Sequence, residues 1–267
     1  MIGLSDIELL VSLTLLSAYI KDEKPLSALI VSKVESGKSA LLSKFSDNPK
    51  TAWITDATAW GIAKHYGTEL KKGNIRHLLF PEFSIPIGRS FETVQMLDNF
   101  LCGLIEEGIG EIVSFKYRAQ TKAPYGCGVI ICLSNQDFKK KEKSWFRVGL
   151  MSRLFPISYD YTEETVSNIM SYIKDRAYHN ENKILLDLPK EDTVNITLPR
   201  DKADELEHIT KEMVAGTELY GFRWQRHLQR LAMASALMRG VDTVADEDIE
   251  IVTHLKKYMN KDCEEKI

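Results

Sequence analysis

Cysteine is scarce in this chain, and the little there is forms no pattern. Cys102, Cys127, Cys132 and Cys263 include no C-x-x-C pair, and no histidine follows them at zinc-finger spacing. That excludes a disulfide scaffold and a zinc module. Cys127 and Cys132, at the ends of an apolar run, read as buried, reduced thiols of a cytoplasmic protein. An excess of basic charge is also missing. Thirty-five Lys and Arg stand against 38 Asp and Glu, for a net charge of −3, so any nucleic-acid contact must come from a local basic patch. No long apolar run occurs either. The opening "MIGLSDIELLVSLTLLSAYIKDEK" carries Asp6 and Glu8 early and lacks a basic leader or a small-residue cleavage site. It is too short and too polar for a membrane span. Ser5 with Glu8 instead reads as a capping box opening an amphipathic helix. The six histidines show no H-E-x-x-H or other metal spacing, and no repeat or low-complexity segment interrupts the 267 residues.

What is present is an ordinary globular composition, 44% hydrophobic and 27% charged, with strand and helix patterns in alternation. The run "LSALIVSK" reads as a strand, ends in "VESGKS", and restarts as a helix at "SALLSKF". Strands are also predicted at "TAWIT", "IRHLLF" and "LFPISYDY", and helices at "WGIAKHYGTELKK" and, capped by Ser90, at "FETVQMLDNFLCGLIEEG". From Glu111 to Leu133 "EIVSFKYR" and "APYGCGVIICL" read as a hairpin joined by "AQTK" that feeds a core strand. "FKKKEK" (138–143) reads as a solvated loop and "WFRVGLMSR" as a short helix. Beyond Thr162 the pattern is helical, with a small β-like pair at "KILLDL" and "TVNITLP" and three closing helices near 201–215, 223–238 and 246–259. The expectation is an α/β core with a parallel, three-layer sheet over 1–160, followed by a helical lid over 161–267 with a small β insertion near 183–199.

The chemistry concentrates in Gly37-Lys38-Ser39. A tight loop after a strand, opening a helix, presents backbone N–H groups to phosphates. The candidate phosphate-binding residues are Ser36, Gly37, Lys38, Ser39 and Ala40, with Lys38 charging the β and γ oxygens and the Ser39 hydroxyl holding Mg²⁺. The usual first glycine of such a loop is Ser32 here, which fits if its φ stays negative. A carboxylate at a neighbouring strand end is needed to organise Mg²⁺ and polarise water. "HLLFPEF" supplies Glu82, with Pro81 where an aspartate is usual. "VIICLSNQ" ends in Ser134 and Asn135; Asn135 is the better contact for the γ-phosphate, because its amide both donates and accepts. Arg153, at the end of a short helix just before a strand and with Arg147 as its competitor, can project to stabilise a transferring phosphoryl group; Arg223, at the start of a helix in the second domain, is placed to report closure of that domain over nucleotide.

The order of these elements resembles an AAA+ ATPase and, within that group, the minichromosome maintenance helicases. "LLFPEF" is similar to the family's apolar run ending in Asp-Glu-Phe. "VGLMSRLFPIS" is similar to its arginine-finger segment, and "RWQRHLQRLAMASALMRGVDTVADEDIEIVTHL" to its lid. The resemblance implies ATP and Mg²⁺ as cofactors and a homo-oligomeric ring such as a hexamer, with nucleotide at the subunit interface. It implies Arg153 as the finger and Arg223 as a second sensor, and it places Lys116, Arg118 and Lys122 on a hairpin facing DNA. The family's amino-terminal DNA-binding domains have no counterpart here. Two other readings fit the residues: a protein-remodelling ATPase of the same fold, and a nucleotide-binding switch or structural subunit with little turnover.

Overall fold

The computed structural model describes residues 1–114, 117–176, 182–217 and 219–259, with the backbone alone over the described part of 112–122. Five strands form one parallel sheet: β1 (Ala28–Ser32), β2 (Thr51–Trp53), β3 (His77–Phe80), β6 (Gly128–Ser134) and β7 (Phe155–Ser158), in the order β2-β3-β6-β1-β7. All five residues of β1 are buried, as expected of a parallel strand covered on both faces. Its alternate residues enter two separate cores. Ala28 and Ile30 join a cluster built with α1 (Ser5–Leu16), α2 (Lys38–Ser43), α8 (Arg200–Val214), α9 (Phe222–Met238) and α10 (Asp246–Leu255). Leu29 and Val31 join the other, with α3 (Ala59–Lys71), α5 (Phe91–Cys102) and α6 (Asn135–Val148). The architecture is therefore α/β, a parallel sheet flanked by helices. The helices that close the chain share a core with α1 and with the first face of the sheet.

Several local expectations are corrected. Ser5 does not cap α1; the N-cap is Leu4, and the Glu8 carboxylate instead accepts from the Met1 amine (2.6 Å) and Lys44 Nζ (2.7 Å). The hairpin pairs β4 (Ile109–Ser114) with β5 (Tyr117–Tyr125), Val113 opposite Arg118 and Ser114 opposite Tyr117. "AQTK" therefore lies within β5; it contains no glycine, proline, asparagine or aspartate to force a turn. The break comes at Gly126 and Cys127, and β6 opens at Gly128. A Cβ on Gly128 would stand 2.2 Å from His77 Nε2 and 2.5 Å from the Leu26 carbonyl oxygen. "FKKKEK" belongs to α6, an amphipathic helix that buries Phe138 and Trp145 and turns its lysines to solvent. The pair expected near 183–199 is reduced to two isolated bridges, Ile20 with Val194 and Thr197 with Thr243. Cys102, Cys127 and Cys132 are free and buried. No helix among the described residues is long and apolar enough to cross a membrane.

Two histidines are held neutral in these cores. His77 Nε2 donates to the Leu26 carbonyl (3.0 Å), and burial pulls its pKa down to about 4. Burial does the same to His227. An unfolded histidine takes up its proton near 6.5, so each contributes stability that is full above pH 6.5 and is lost as pH falls toward 4, about 3 kcal/mol apiece. Asp98 works in the opposite sense. Burial pushes its carboxyl up to about 6, so its destabilising effect is relieved as pH falls from about 6 to the ordinary carboxylate value. Two histidines outweigh one aspartate. The melting temperature is predicted to fall between pH 6.5 and 4, and more steeply in Asp98→Asn; a flat or rising profile would contradict the burial of both imidazoles.

Candidate functional site

Register brings the phosphate loop and its expected partners to one edge of the sheet. Ser32, the last residue of β1, pairs with Ser134, the last of β6, and Phe80 at the end of β3 pairs with Ile131. The loop after β1, Glu82 after β3 and the start of α6 therefore share the carboxyl edge, where open parallel sheets bind ligands. Glu35 (φ 64°) and Gly37 (φ 82°) both take left-handed backbone, and Gly37 is the N-cap of α2. Alternation of left- and right-handed residues folds the intervening N–H groups into a concave anion cradle. A cleft of about 490 Å³ opens over it, lined by Ser36, Gly37, Lys38, Ser39 and Ala40 on one side and Glu82 and Ser134 on the other.

Lys38 is buried and folded inward. Its ammonium donates to the Lys33 carbonyl (2.7 Å), the Ser36 hydroxyl (3.1 Å) and the Ser32 carbonyl (3.2 Å). The Ser39 hydroxyl donates to the carbonyl of Pro81 (2.9 Å), so a backbone oxygen stands where an aspartate carboxylate is usual. Glu82 accepts from the Ser84 hydroxyl at 2.6 Å. Among the described residues no cluster of three metal-ligating side chains exists. Ser39 and Glu82 both line the cleft and are the groups that could hold a Mg²⁺ ion, which usually takes its remaining ligands from phosphate and water; they do not form a cage by themselves.

Sequence reasoning missed what holds the loop. The phenols of Tyr159 and Tyr161 both donate to one acceptor, the Ser36 carbonyl, at 3.1 and 2.7 Å. Burial raises both phenol pKa values, so both remain donors. The signal was present in "SYDY", where alternate tyrosines on an extended segment face the same way. Ser32 adds a third tie, its hydroxyl donating to the Tyr159 carbonyl at 2.9 Å; it sits in a strand, outside the positive-φ residues. Because the C=O and N–H of a trans peptide point in opposite directions, fixing the Ser36 carbonyl also fixes the direction of the Gly37 N–H.

Asn135 does not line the cleft. It is the first residue of α6, its Oδ1 is buried without a hydrogen-bond partner, and Ser134, Gln136 and Asp137 face the cleft instead. Ser134 caps the helix by accepting from the Asp137 N–H (3.1 Å).

The two arginines lie at the other edge. Arg153 precedes β7, whose Phe155 pairs with Ala28 at the start of β1. Five residues of strand, about 16 Å, separate that level from the phosphate loop. Arg223 does not close over the loop; it joins Arg153 instead. Glu106 accepts from Arg223 at 2.7 Å and forms an ion pair with Arg153 Nε at 2.8 Å, while Glu107 holds Arg153 at 2.6 Å. Burial works to raise the Glu106 carboxyl, but Arg223, Arg153 and Lys24 outweigh it and hold it below its ordinary value. Arg226 and Arg230 line the same pocket. Lys116 lies outside the described residues, as do the side chains of Arg118 and Lys122, whose backbone belongs to β5.

No family model matches the chain, and no curated protein matches it in sequence.

If the tyrosines hold the loop, Tyr161→Phe removes one hydrogen bond of about 1 kcal/mol. Amide exchange across residues 33–39 is then predicted to quicken by roughly five-fold, with the sheet unchanged; wild-type rates in the variant would show that the phenol is incidental.

Proposed function

We propose that this chain is an ATP-binding ATPase module of the AAA+ kind, working as a homo-oligomer in which each nucleotide is completed by the next copy. One observation carries the reading: Arg153 and Arg223 share Glu106 at the edge of the sheet opposite the phosphate loop. Neither can serve its own loop, whereas a head-to-tail neighbour presents its cleft to both. The charges agree in sign. Glu35, Glu82 and Asp137 border the cleft, and Lys24, Arg153, Arg223, Arg226 and Arg230 border the opposing pocket.

In this reading Lys38 leaves the loop carbonyls for the β and γ oxygens, and the N–H groups of residues 36–40 hold the phosphates. Ser39 and Glu82 would hold Mg²⁺, which would supply neutralisation of the phosphate charge. Glu82 also orients the attacking water. Ser134 or Gln136, at the cleft wall, takes the γ-phosphate contact expected of Asn135. Arg153 from the next copy leaves Glu107 to meet the charge that develops on the γ-phosphate, and Arg223 accompanies it. DNA is the proposed substrate, on the strength of the resemblance to minichromosome maintenance helicases and of Lys116, Arg118 and Lys122 in the segment that the resemblance likens to a DNA-facing hairpin. Cytoplasmic localisation belongs to the same reading. A second reading, a nucleotide-binding switch with little turnover, is favoured by Pro81, which leaves Glu82 as the lone carboxylate after β3.

The test is complementation. Lys38→Ala and Arg153→Ala are each predicted to lower phosphate release by about 10³-fold. Mixed in equal amounts, they regain up to roughly a quarter of wild-type turnover (½ × ½ of the interfaces pair an intact loop with an intact arginine). A mixture as inactive as its components would contradict a shared site, and wild-type protein that binds ATP without releasing phosphate would favour the switch.

A further inference from the structure

The first turns of α9 carry Arg223 and, at helical spacing from it, Arg226, His227 and Arg230, so all four share one face of the helix. Together with Lys24, Ser27, Glu106 and Arg153 they line a pocket of about 70 Å³. A single water needs roughly 10–15 Å³ of such space, so the pocket has room for a small tetrahedral anion. It lies at the edge of the sheet opposite the phosphate loop, beside the residues that lead into β1 and β7.

Most of the charge in this pocket is matched within the chain. Arg153 and Arg223 are met by Glu106 and Glu107, and Arg230 Nε by Glu23 at 2.8 Å. Three carboxylates therefore offset three arginines. Lys24 and Arg226 remain. The Lys24 ammonium donates to the Glu106 backbone carbonyl, a neutral oxygen. Arg226 is exposed and forms no ion pair among the described residues. Two positive charges at one pocket are thus left over, and a dianion is what balances them. Glu106 reports the same surroundings, since Arg223, Arg153 and Lys24 hold its carboxyl down against burial.

His227 supplies an independent observation. It is 7% exposed, and neither ring nitrogen makes a hydrogen bond of ordinary geometry among the described residues. The Ser152 backbone lies near enough to act on the ring, but it can serve only one of the two nitrogens. A neutral imidazole has one donor and one acceptor, so at least one buried polar atom at the pocket wall lacks a partner, which costs stability. Hydrogen phosphate offers acceptor oxygens and one O–H, and so can meet whichever nitrogen is left.

We infer that this pocket is a second phosphate site, taking one phosphate dianion per chain between Lys24 and Arg226, with the His227 imidazole at its wall. It needs no neighbouring copy and does not involve the phosphate loop. One consequence does rest on the shared-site reading. A phosphate seated here occupies the surface that Arg153 and Arg223 present to the next copy, so phosphate released by turnover opposes association and slows the next round.

The experiment is equilibrium dialysis of radiolabelled orthophosphate against the full-length Lys38→Ala chain, in which the phosphate loop is disabled. Saturable binding of one phosphate per chain is expected. Adding Arg226→Ala or Lys24→Gln is expected to weaken it by about ten-fold, with the melting temperature unchanged. Lys21→Gln makes the same charge change on an exposed residue outside the pocket and is expected to leave binding within about two-fold. No saturable binding would overturn the inference, and so would losses in Arg226→Ala and Lys24→Gln no larger than in Lys21→Gln. AMP serves as a second probe. Binding of AMP with the same response to Arg226→Ala identifies a phosphate monoester as the natural source, and binding of orthophosphate alone identifies the free ion; either supports the site.

The site and the shared-site reading fail separately. If Lys38→Ala and Arg153→Ala complement each other while the single chain binds no phosphate, the nucleotide site is shared and the second phosphate site does not exist. If phosphate binds as expected and complementation fails, the pocket stands as a phosphate site of the single chain and the shared site falls.

Discussion

β1 is hydrogen-bonded along both sides, to β6 and to β7, and every functional group takes its position from that pairing. The strand is five residues long and buried throughout. Its carboxyl end opens into the phosphate loop beside Ser134, and its amino end lies level with the start of β7, just after Arg153. The same pairing that places Lys38 in a cleft therefore places the arginines out of its reach. In the proposed reading, the division of the site between two copies follows from strand polarity rather than from any single side chain.

The two departures from a standard phosphate loop have local explanations. At Ser32 the hydroxyl ties the end of β1 to the Tyr159 carbonyl, and with the two phenols on Ser36 it gives the loop three hydrogen bonds to the extension of β7. At Pro81 a carbonyl takes over as acceptor for Ser39. A neutral oxygen attracts a divalent ion less than a carboxylate does, and Glu82 is the one carboxylate directly after β3. Ser32 thus bears on the rigidity of the loop, and Pro81, in the proposed reading, on the strength of metal binding and on turnover.

Much of this was legible in the residues. The apolar runs "LSALIVSK", "TAWIT", "IRHLLF", "GVIICL" and "LFPISYDY" located all five sheet strands, and the ends of the first, third and fourth located the cleft. The closing helices were found within a residue or two at most ends because their stripes and flanking breaks are strong. What failed depended on partners distant in sequence. Glu8 had the spacing of a capping box, yet Lys44 and the Met1 amine claim it. "AQTK" was read as the connection of the hairpin, whereas the pairing of Ser114 with Tyr117 carries the second strand through it. Asn135 had suitable chemistry, but it begins α6 with its Oδ1 buried, while Ser134 and Gln136 on either side of it line the cleft. The pairing of Arg153 with Arg223 through Glu106, 117 residues from Arg223, has no local signature at all.

The central claim is that one nucleotide site requires two chains. Steady-state phosphate release measured across a wide range of concentrations of the wild-type protein tests it most directly, because a shared site forms only as copies associate. The account predicts that turnover per chain rises with concentration and levels off once association is complete. Turnover that is constant per chain down to concentrations at which sedimentation shows only monomer would contradict it.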